Sequence, residues 1–295
     1  MPRFPLECIS KSLVLLPKIF YMKDSLKHLD FIIEHSEKII YQYRDKDVKR
    51  IQYFYLGMFE RLYAACKSLR VLIKEMDKDQ SMEFSAGLIT RTLLLDLLFS
   101  LRGYDMYKQG EVAAKKHELI EAELTEFCNS VFADGIRYTF STLQHLKDAG
   151  IHTEAQLIEA YRNIANKYSA FVEPYKEDGS APNIKFPKGP RVIDLFLITS
   201  KQEPLKKLAG SYETYSFYSK YEHFSILSYV LMRRLEEDQL RTFAYSIELM
   251  VMHAFISFET MNAFAPDDFL THKIKTTGDY VKYEVLKLPK EQAVA

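Results

Sequence analysis

The residues best suited to chemistry lie close together in one stretch, YETYSFYSKYEHFSILSY, at positions 212–229. On an α-helix, Tyr215, Ser219 and His223 follow one another at intervals of four residues, so they share one stripe. The stripe continues through apolar residues such as Ile226, which predicts that it faces the interior of a bundle. Hydroxyl and imidazole groups in such a place need hydrogen-bond partners, because an unpaired buried one costs roughly 1–3 kcal/mol.

Two interpretations of this stretch stay open. In the structural one, the hydroxyls and the imidazole form a polar network that fixes the register of packed helices. In the functional one, they form a small acid–base site in which His223 is the titrating group. His253, in the segment LMVMHAFISF, is the next candidate histidine, and its apolar surroundings favour a position in the core.

A partner for the stripe is predicted in the apolar run LITRTLLLDLL, which carries Arg91 and Asp96. A guanidinium among leucines must be paired, so we expect Arg91 to be buried and to meet Tyr215 or its neighbours. Glu222 and Glu248 are candidate acids for the same guanidinium. Asp96 lies about 140° round the helix from Arg91, so it needs a different partner.

Apolar residues recur at helical spacing along almost the whole chain, and only 10 glycines and 10 prolines interrupt its 295 residues. The predicted fold is all-α, a single bundle of about seven to nine helices. The third helix is expected to stop at Gly103, and the Tyr-rich helix to run from about Ser211 to Arg234. The final segment YVKYEVLKL fits either a helix or one strand of a small C-terminal β-hairpin.

Residues 173–191 are rich in proline and glycine and are predicted to form a long exposed surface loop. Neither flank shows a complete pattern of its own, so residues 1–295 are expected to form one domain. Gly150 predicts the end of the helix before the loop, and Thr153 with Gln156 predicts a capping box for the next.

Charge and cysteine content narrow the class of protein. The 40 basic and 40 acidic residues balance, so nucleic-acid binding is not indicated. The three cysteines are far apart, which is typical of reduced thiols in a cytoplasmic protein. The apolar run at 86–101 is too short to cross a membrane and carries two charges, so we interpret it as a buried helix of a soluble protein.

Several motifs are missing from the sequence. It contains no GxGxxG, P-loop, GxSxG, HExxH or Glu-x-x-His pattern, so neither a metal nor a cofactor is predicted. The segment APDDFLTH begins like the aspartate-rich magnesium motif of helical terpene synthases but lacks its third acid. Asp267 or Asp268 is therefore expected to form a turn or a helix cap.

An arginine in an apolar helix, followed much later by Tyr-x-x-x-Ser-x-x-x-His-x-Ser, resembles an uncharacterised group of bacterial all-helical proteins. The likeness covers roughly residues 50–100 and 190–235 and implies a helical bundle with no assured activity. The matching residues are Arg91, Asp96, Tyr215, Ser219, His223 and Ser225.

The chain is also broadly similar to HEPN-type helical domains, some of which are metal-independent ribonucleases. Their signature places an arginine four to six residues before a histidine, and none of the eight histidines here has one. Arg91 would have to supply the guanidinium from another helix.

Three functions remain open. The first is a non-enzymatic interaction protein of a bacterial cytosol, with a protein partner or a second copy of the chain. The second is a HEPN-like ribonuclease using the catalytic set His223, Arg91, Tyr215 and Ser219. The third is a bundle that binds a small apolar or aromatic ligand.

Overall fold

A computed structural model of the chain describes residues 18–76, 78–79, 81–199, 201, 210–222 and 236–289. Within these residues the protein is all-α and contains nine α-helices, which confirms the predicted multi-helix bundle. The helices are α1 (Lys18–Tyr43), α2 (Arg50–Glu75), α3 (Met82–Val112), α4 (His117–Asp148), α5 (Glu154–Lys167), α6 (Val192–Thr199), α7 (Gly210–Tyr218), α8 (Glu236–Phe264) and α9 (Asp268–Tyr280).

The chain divides into two compact units. The first comprises Met1–Ala114 and Val192–Ala295, and the second is Lys115–Arg191. The first unit therefore holds α1–α3 and α6–α9, while α4, α5 and the following loop make up the second. The expectation that residues 1–295 form a single domain stays a prediction.

Helices α1 and α2 of the first unit form an antiparallel hairpin. The Tyr63 hydroxyl donates a hydrogen bond to the Glu37 carboxylate at 3.0 Å, and Arg70 Nε donates to Asp30 nearer the open end. In both pairs the two residue numbers average 50, so the two helices keep the same register along the hairpin. The inner faces carry the apolar stripe that the helical spacing predicts, including Leu29 and Leu62, each fully buried.

The centre of the first unit is α8. Between Ile247 and Phe258 nearly every side chain of this helix is buried, whichever way it points. A helix that is apolar on all sides must be surrounded by others, and α8 contacts α1, α2, α3, α7 and α9. It therefore organises the core that positions the polar groups described below.

Helix α3 has 31 residues and is long and apolar enough to cross a membrane by length and composition alone. The prediction that its apolar run is too short to span is therefore wrong, because the helix continues well beyond 86–101. Within the protein, 56% of its most apolar window is buried, and α3 packs on α2, α6, α7 and α8. Those contacts give it the surroundings of a core helix.

The predicted end of this helix at Gly103 is also wrong. Gly103 is buried inside α3, and the helix continues to Val112. Downstream of the glycine, Asp105 accepts hydrogen bonds from Arg102 and Gln109 at 2.8 Å each. These bonds connect successive turns on both sides of Asp105 and compensate for the low helix propensity of glycine.

The Tyr-rich helix predicted from Ser211 to Arg234 is interrupted within its described part. Its α-helical part, α7, ends at Tyr218, and a 3-10 turn follows from Ser219 to Glu222. Ser219 Oγ donates to the carbonyl oxygen of Ser216 at 2.7 Å, a local bond of the kind that competes with helical pairing. A 3-10 turn has fewer residues per turn than an α-helix, so the four-residue spacing no longer places Ser219 directly above Tyr215.

The second unit begins with α4, which is continuous to Asp148. Gly150, the predicted end signal, lies just after its C-cap residue Ala149 and has φ +71°. The predicted capping box is confirmed, since Thr153 Oγ1 accepts from Gln156 N and Gln156 Oε1 accepts from Thr153 N. An apolar cluster between α4 and α5 includes Phe140 and Tyr161, whose rings meet edge to face.

The loop at 173–191 has no helix, as predicted, but it is packed as well as exposed. Val172 and Ile184 form an isolated antiparallel bridge. Gly189 N donates to the Asp134 carboxylate at 3.0 Å, and a Cβ at position 189 would lie only 2.5 Å from that carboxylate oxygen. A side chain at position 189 would therefore displace the Asp134 carboxylate at this close approach of the loop to α4.

The C-terminal hairpin is wrong, and the helical alternative is confirmed. Residues Asp268–Tyr280 form α9 and Val281–Val285 continue as a π-helical turn. The Tyr280 ring stacks on Phe31 of α1 with centres 3.6 Å apart, and Val281 is fully buried. The alternating pattern of this segment fits a strand and a helix equally well, and packing on α1 and α8 favours the helix.

Candidate functional site

Two of the four predicted site residues, Arg91 and Tyr215, are in contact. Arg91 Nη2 donates to the Tyr215 hydroxyl at 3.3 Å, and the guanidinium carbon lies 5.1 Å from the centre of the Tyr215 ring. Helix α3 supplies the arginine and α7 the tyrosine, and both side chains are half-buried. The combined hydrogen bond and cation–π contact holds α7 against α3.

Tyr215 belongs to a short ladder of aromatic rings. Phe196 of α6 stacks on Tyr212 with centres 4.4 Å apart, and Tyr212 lies 6.3 Å from Tyr215 at an interplanar angle of 29°. Arg91 contacts the last ring of the ladder. Tyr215 therefore contacts both Tyr212 and Arg91, and these contacts restrict the position of its hydroxyl.

The other predicted residues either have contacts of their own or lie outside the described residues. Ser219 bonds to backbone, as described above, while His223 and the side chain of Glu222 lie outside the described residues. Glu248 is the other candidate acid for Arg91, but the charged groups that influence its pKa are Lys287 and Asp24. Burial raises the pKa of Glu248 to about 7; Lys287 opposes this rise and Asp24 adds to it.

Asp96 has a partner of its own, as its position round the helix predicts. Arg61 Nε of α2 donates to Asp96 Oδ2 at 2.7 Å, where the aspartate side chain is 8% exposed and the arginine 54%. Burial raises the pKa of Asp96 to about 6, and Arg61 limits the rise. The pair connects α2 to α3 at the edge of the core.

A second polar cluster lies fully inside the first unit. His253 Nε2 is 2.8 Å from Ser100 Oγ, which is also 3.4 Å from Ser257 Oγ and 3.0 Å from Met58 Sδ. His253 is 0% exposed, so its predicted core position is confirmed. The sequence gives no signal for Ser100, because a serine in an apolar helix can also bond to a carbonyl of its own helix.

A serine 2.8 Å from an imidazole resembles the nucleophile–base pair of a hydrolase, but the surroundings differ from such a site. Burial lowers the pKa of His253 to about 3, with Arg61 adding to the effect, so the ring is neutral. Among the described residues its Nδ1 meets no orienting carboxylate. The cluster therefore joins α2, α3 and α8 as a structural hydrogen-bond network.

A further pair of buried histidines, His28 and His35, lies on α1. His28 Nδ1 is 2.9 Å from the Tyr280 hydroxyl, and His35 Nδ1 donates to the Phe31 carbonyl at 3.0 Å. Burial is the main reason that the pKa of each falls to about 4, and the positive charges of Lys287 and Lys273 respectively add to it. Both rings are neutral at pH 7. His28 contacts α9 through Tyr280, and His35 stacks on Phe31 of its own helix.

Metal chemistry finds no support within the described ranges, where no group of three or more His, Cys, Asp or Glu residues could hold an ion. Asp267 of the aspartate-rich segment caps α9, as predicted: its carboxylate accepts from Leu270 N at 2.7 Å and from the Tyr43 hydroxyl.

An open groove of about 330 Å³ lies on the outer face of the α1–α2 hairpin. We call this surface the hairpin groove; its lining consists of Glu37, Ile40, Tyr41, Arg44, Glu60 and Tyr63. Tyr41 is 80% exposed. Tyr63 is anchored between Glu37, to which it donates, and Lys67, which donates to its hydroxyl at 3.3 Å. In the part of the chain that the structure describes, the side chains of Arg44 and Glu60 form no ion pair.

Comparisons of the chain with protein-family models, with curated proteins and with solved structures find no match. The likeness to bacterial all-helical proteins and to HEPN domains therefore rests only on the residues quoted above.

Proposed function

We propose that the protein is a non-enzymatic helical interaction protein that recognises another protein through the hairpin groove. The observation that carries this proposal is the groove itself. It combines Tyr41, 80% exposed, with a carboxylate at Glu60 and a guanidinium at Arg44 that form no ion pair within the described residues. Tyrosine and arginine are the side chains most enriched at the centres of protein interfaces.

The energetics of Tyr41 support the same proposal. A tyrosine buries roughly 150–250 Å² when it is covered, and a ring left in water contributes none of that burial to folding. Tyr63 beside it is already oriented by Glu37 and Lys67, so one wall of the groove is rigid before any partner arrives. A preformed wall lowers the entropy lost on binding.

The side chains that could take part in catalysis have structural roles instead, which also supports a non-enzymatic protein. Ser100 and His253 are enclosed in the core, and Asp96 is matched by Arg61. Burial also raises the pKa of the Cys66 thiol, which keeps it protonated and unreactive. We place the protein in solution in a bacterial cytoplasm, on its buried thiols and on the resemblance to bacterial all-helical proteins.

The test of this function compares two exposed tyrosines in the cells that make the protein. Tyr41→Asp should convert a complex larger than the chain's own 34.5 kDa into free chain, as measured by native gel-filtration of the extract. Tyr138→Asp, on α4 of the second unit and 76% exposed, is the matched control and should leave the complex intact. A wild-type chain that elutes alone would count against an interaction protein.

A second candidate function is a HEPN-like, metal-independent ribonuclease that uses His223. The contact between Arg91 and Tyr215 favours it, because it brings a guanidinium from α3 to the segment that leads to the histidine. In that case His223→Ala should abolish RNA cleavage by the purified protein in the presence of a metal chelator, while its melting temperature stays within about 2 °C of wild type. Equal cleavage by both proteins, or none, would remove this candidate. The small-ligand bundle stays a prediction.

A further inference from the structure

We propose that the hairpin groove binds a second copy of this chain, in a two-fold symmetric dimer in which Arg44 of each copy pairs with Glu60 of the other. This inference rests on the proposed function and names its partner. Three features carry it: the placement of the groove's charges, a glycine one turn from Glu60 on the same helix, and the size of the face around the groove.

The placement of the charges follows from the hairpin register. Tyr63 lies level with Glu37, so Glu60 lies level with Ile40, and Arg44 follows one turn later. The two charges are therefore separated by roughly 6 Å along the hairpin. Neither forms an ion pair among the residues that the structure describes.

Glu60 and Arg44 lie at different levels along the hairpin groove. The charges of the groove are therefore complementary to those of a second copy placed antiparallel to it. A two-fold axis between the two levels places each Arg44 opposite the partner's Glu60, and both pairs form at once. Tyr41 lies between the levels of the two charges, so it covers the partner's groove near the axis. A partner with a single sign of charge would satisfy only one of the two side chains.

Gly57 gives a second reason. It lies in the middle of α2 on the same outer stripe as Tyr53 and Glu60, where glycine lowers helix stability. A Cβ built at this position would meet no atom within 4 Å, so nothing inside the described chain requires a glycine there. A missing side chain at the level of the proposed axis lets two α2 helices approach closely.

The face is large enough for the interaction. Helix α2 has 26 residues and is therefore roughly 39 Å long, with α1 beside it. Because α2 begins roughly 12 Å before the level of the proposed axis, the two copies overlap over roughly 24 Å. Two adjacent helices over that length present on the order of 500 Å² per partner, about 1,000 Å² in total, which is the lower end of the range for a specific interface.

Sedimentation equilibrium of the purified full-length chain, with charge reversal and charge exchange, tests the proposal. Arg44→Glu and Glu60→Arg should each weaken dimerisation by about tenfold or more, because each single reversal creates two like-charged pairs. The double variant R44E/E60R should restore it, since both pairs are remade with exchanged signs. Lys188→Glu on the loop of the second unit is the control for charge reversal and should have no effect.

Gly57→Leu gives a variant of a different kind, which should weaken dimerisation by filling the space at the axis while the circular dichroism spectrum stays helical. A dimer whose dissociation constant is unchanged by all of these substitutions would overturn the assignment to the hairpin groove. A chain that stays monomeric at 100 µM, roughly the upper limit for a specific weak dimer, would overturn self-association. If Tyr41→Asp still dissolves the complex in cells, the proposed function survives and the partner is a different protein. A photo-reactive residue at position 41 that reacts with residues 1–17 of its own chain would assign the groove to that segment.

Discussion

Arg91 on α3 donates a hydrogen bond to the hydroxyl of Tyr215 on α7, 124 positions along the chain. The same guanidinium lies 5.1 Å from the centre of the tyrosine ring. The contact connects two helices through one half-buried pair. Because the acceptor is a neutral hydroxyl, the contact should contribute less than a fully buried ion pair, for which removal of one partner costs roughly 3–5 kcal/mol.

A double-mutant cycle measures this contribution. Arg91→Met removes the guanidinium and Tyr215→Phe removes only the hydroxyl. We expect a coupling free energy of about 1 kcal/mol between them, below the roughly 1.5–3 kcal/mol of a hydrogen bond to a charged group, because this bond is long at 3.3 Å and only half-buried. Urea unfolding of the four proteins gives the value. Strict additivity would mean that the two groups do not interact in solution.

This contact could be predicted from the sequence because both of its residues are conspicuous. An arginine among leucines needs an acceptor, and the Tyr-rich stretch is the densest supply of hydroxyls in the chain. Ser219 could not be placed in the same way. No glycine or proline marks the change from α-helix to 3-10 turn after Tyr218, where Ser219 Oγ donates to the Ser216 carbonyl.

The positions of Gly103 and Ser100 also could not be predicted from the sequence, because both depend on tertiary packing. Gly103 is a helix-ending signal by composition, yet it lies inside α3, where packing outweighs its low propensity. Ser100 looks like an ordinary small residue in an apolar run, and only the tertiary fold brings it to His253, 153 positions away. The capping box at Thr153 was predictable because all of its contacts lie within four residues.

The pair of Arg61 and Asp96 predicts a pH-dependent variant. Arg61→Leu leaves a buried carboxylate without its ion pair and should cost about 2 kcal/mol at pH 7.5, below the value for a fully buried pair because Arg61 is half exposed. The folded-state pKa of Asp96 is already raised to about 6 and rises further without Arg61. A raised acid pKa means that the folded protein holds the proton more tightly, so stability is lost as the pH rises through it.

The cost of Arg61→Leu should therefore shrink as the pH falls from 7.5 to 5, where Asp96 becomes protonated. Thermal melting at the two pH values measures it. In the matched control, Arg61→Leu combined with Asp96→Asn, the difference between the two pH values should disappear. A cost that is the same at both pH values would show that Asp96 is not the group that responds.

His35 predicts the opposite dependence. Its folded-state pKa is lowered to about 4 by burial and by Lys273, whereas the unfolded chain takes up a proton near pH 6.5. The wild-type protein therefore loses stability as the pH falls from 6.5 to 4. His35→Phe keeps a ring next to Phe31 and cannot titrate.

The free energy of unfolding of His35→Phe, minus that of wild type, should increase by about 1 kcal/mol for each pH unit below 6. Urea unfolding at pH 7, 6 and 5 gives the three values. Parallel stability curves would mean that His35 is accessible to protons in the folded state.

The loop at 173–191 predicts an ordered pattern of limited proteolysis. Trypsin should cut first after Lys176, which is 65% exposed and lies near Gly179 at the loop tip, where φ is +77°. Lys185 should be cut later, because it follows the bridge residue Ile184 and its Nζ donates to the Ser169 carbonyl at 2.7 Å. Mass spectrometry of early digests gives the order. First cleavage within α4 or α5 would show that the loop is better protected than its exposure indicates.

The most direct test of recognition through the hairpin groove is photo-cross-linking in the cells that make the protein. A photo-reactive amino acid replaces Tyr41 in one strain and Tyr138, the similarly exposed residue of the second unit, in another. The account predicts a cross-linked protein adduct at position 41 and none at position 138, with a mass of about twice 34.5 kDa when the partner is a second copy. An unmodified chain at position 41, or the same adducts from both positions, would contradict it.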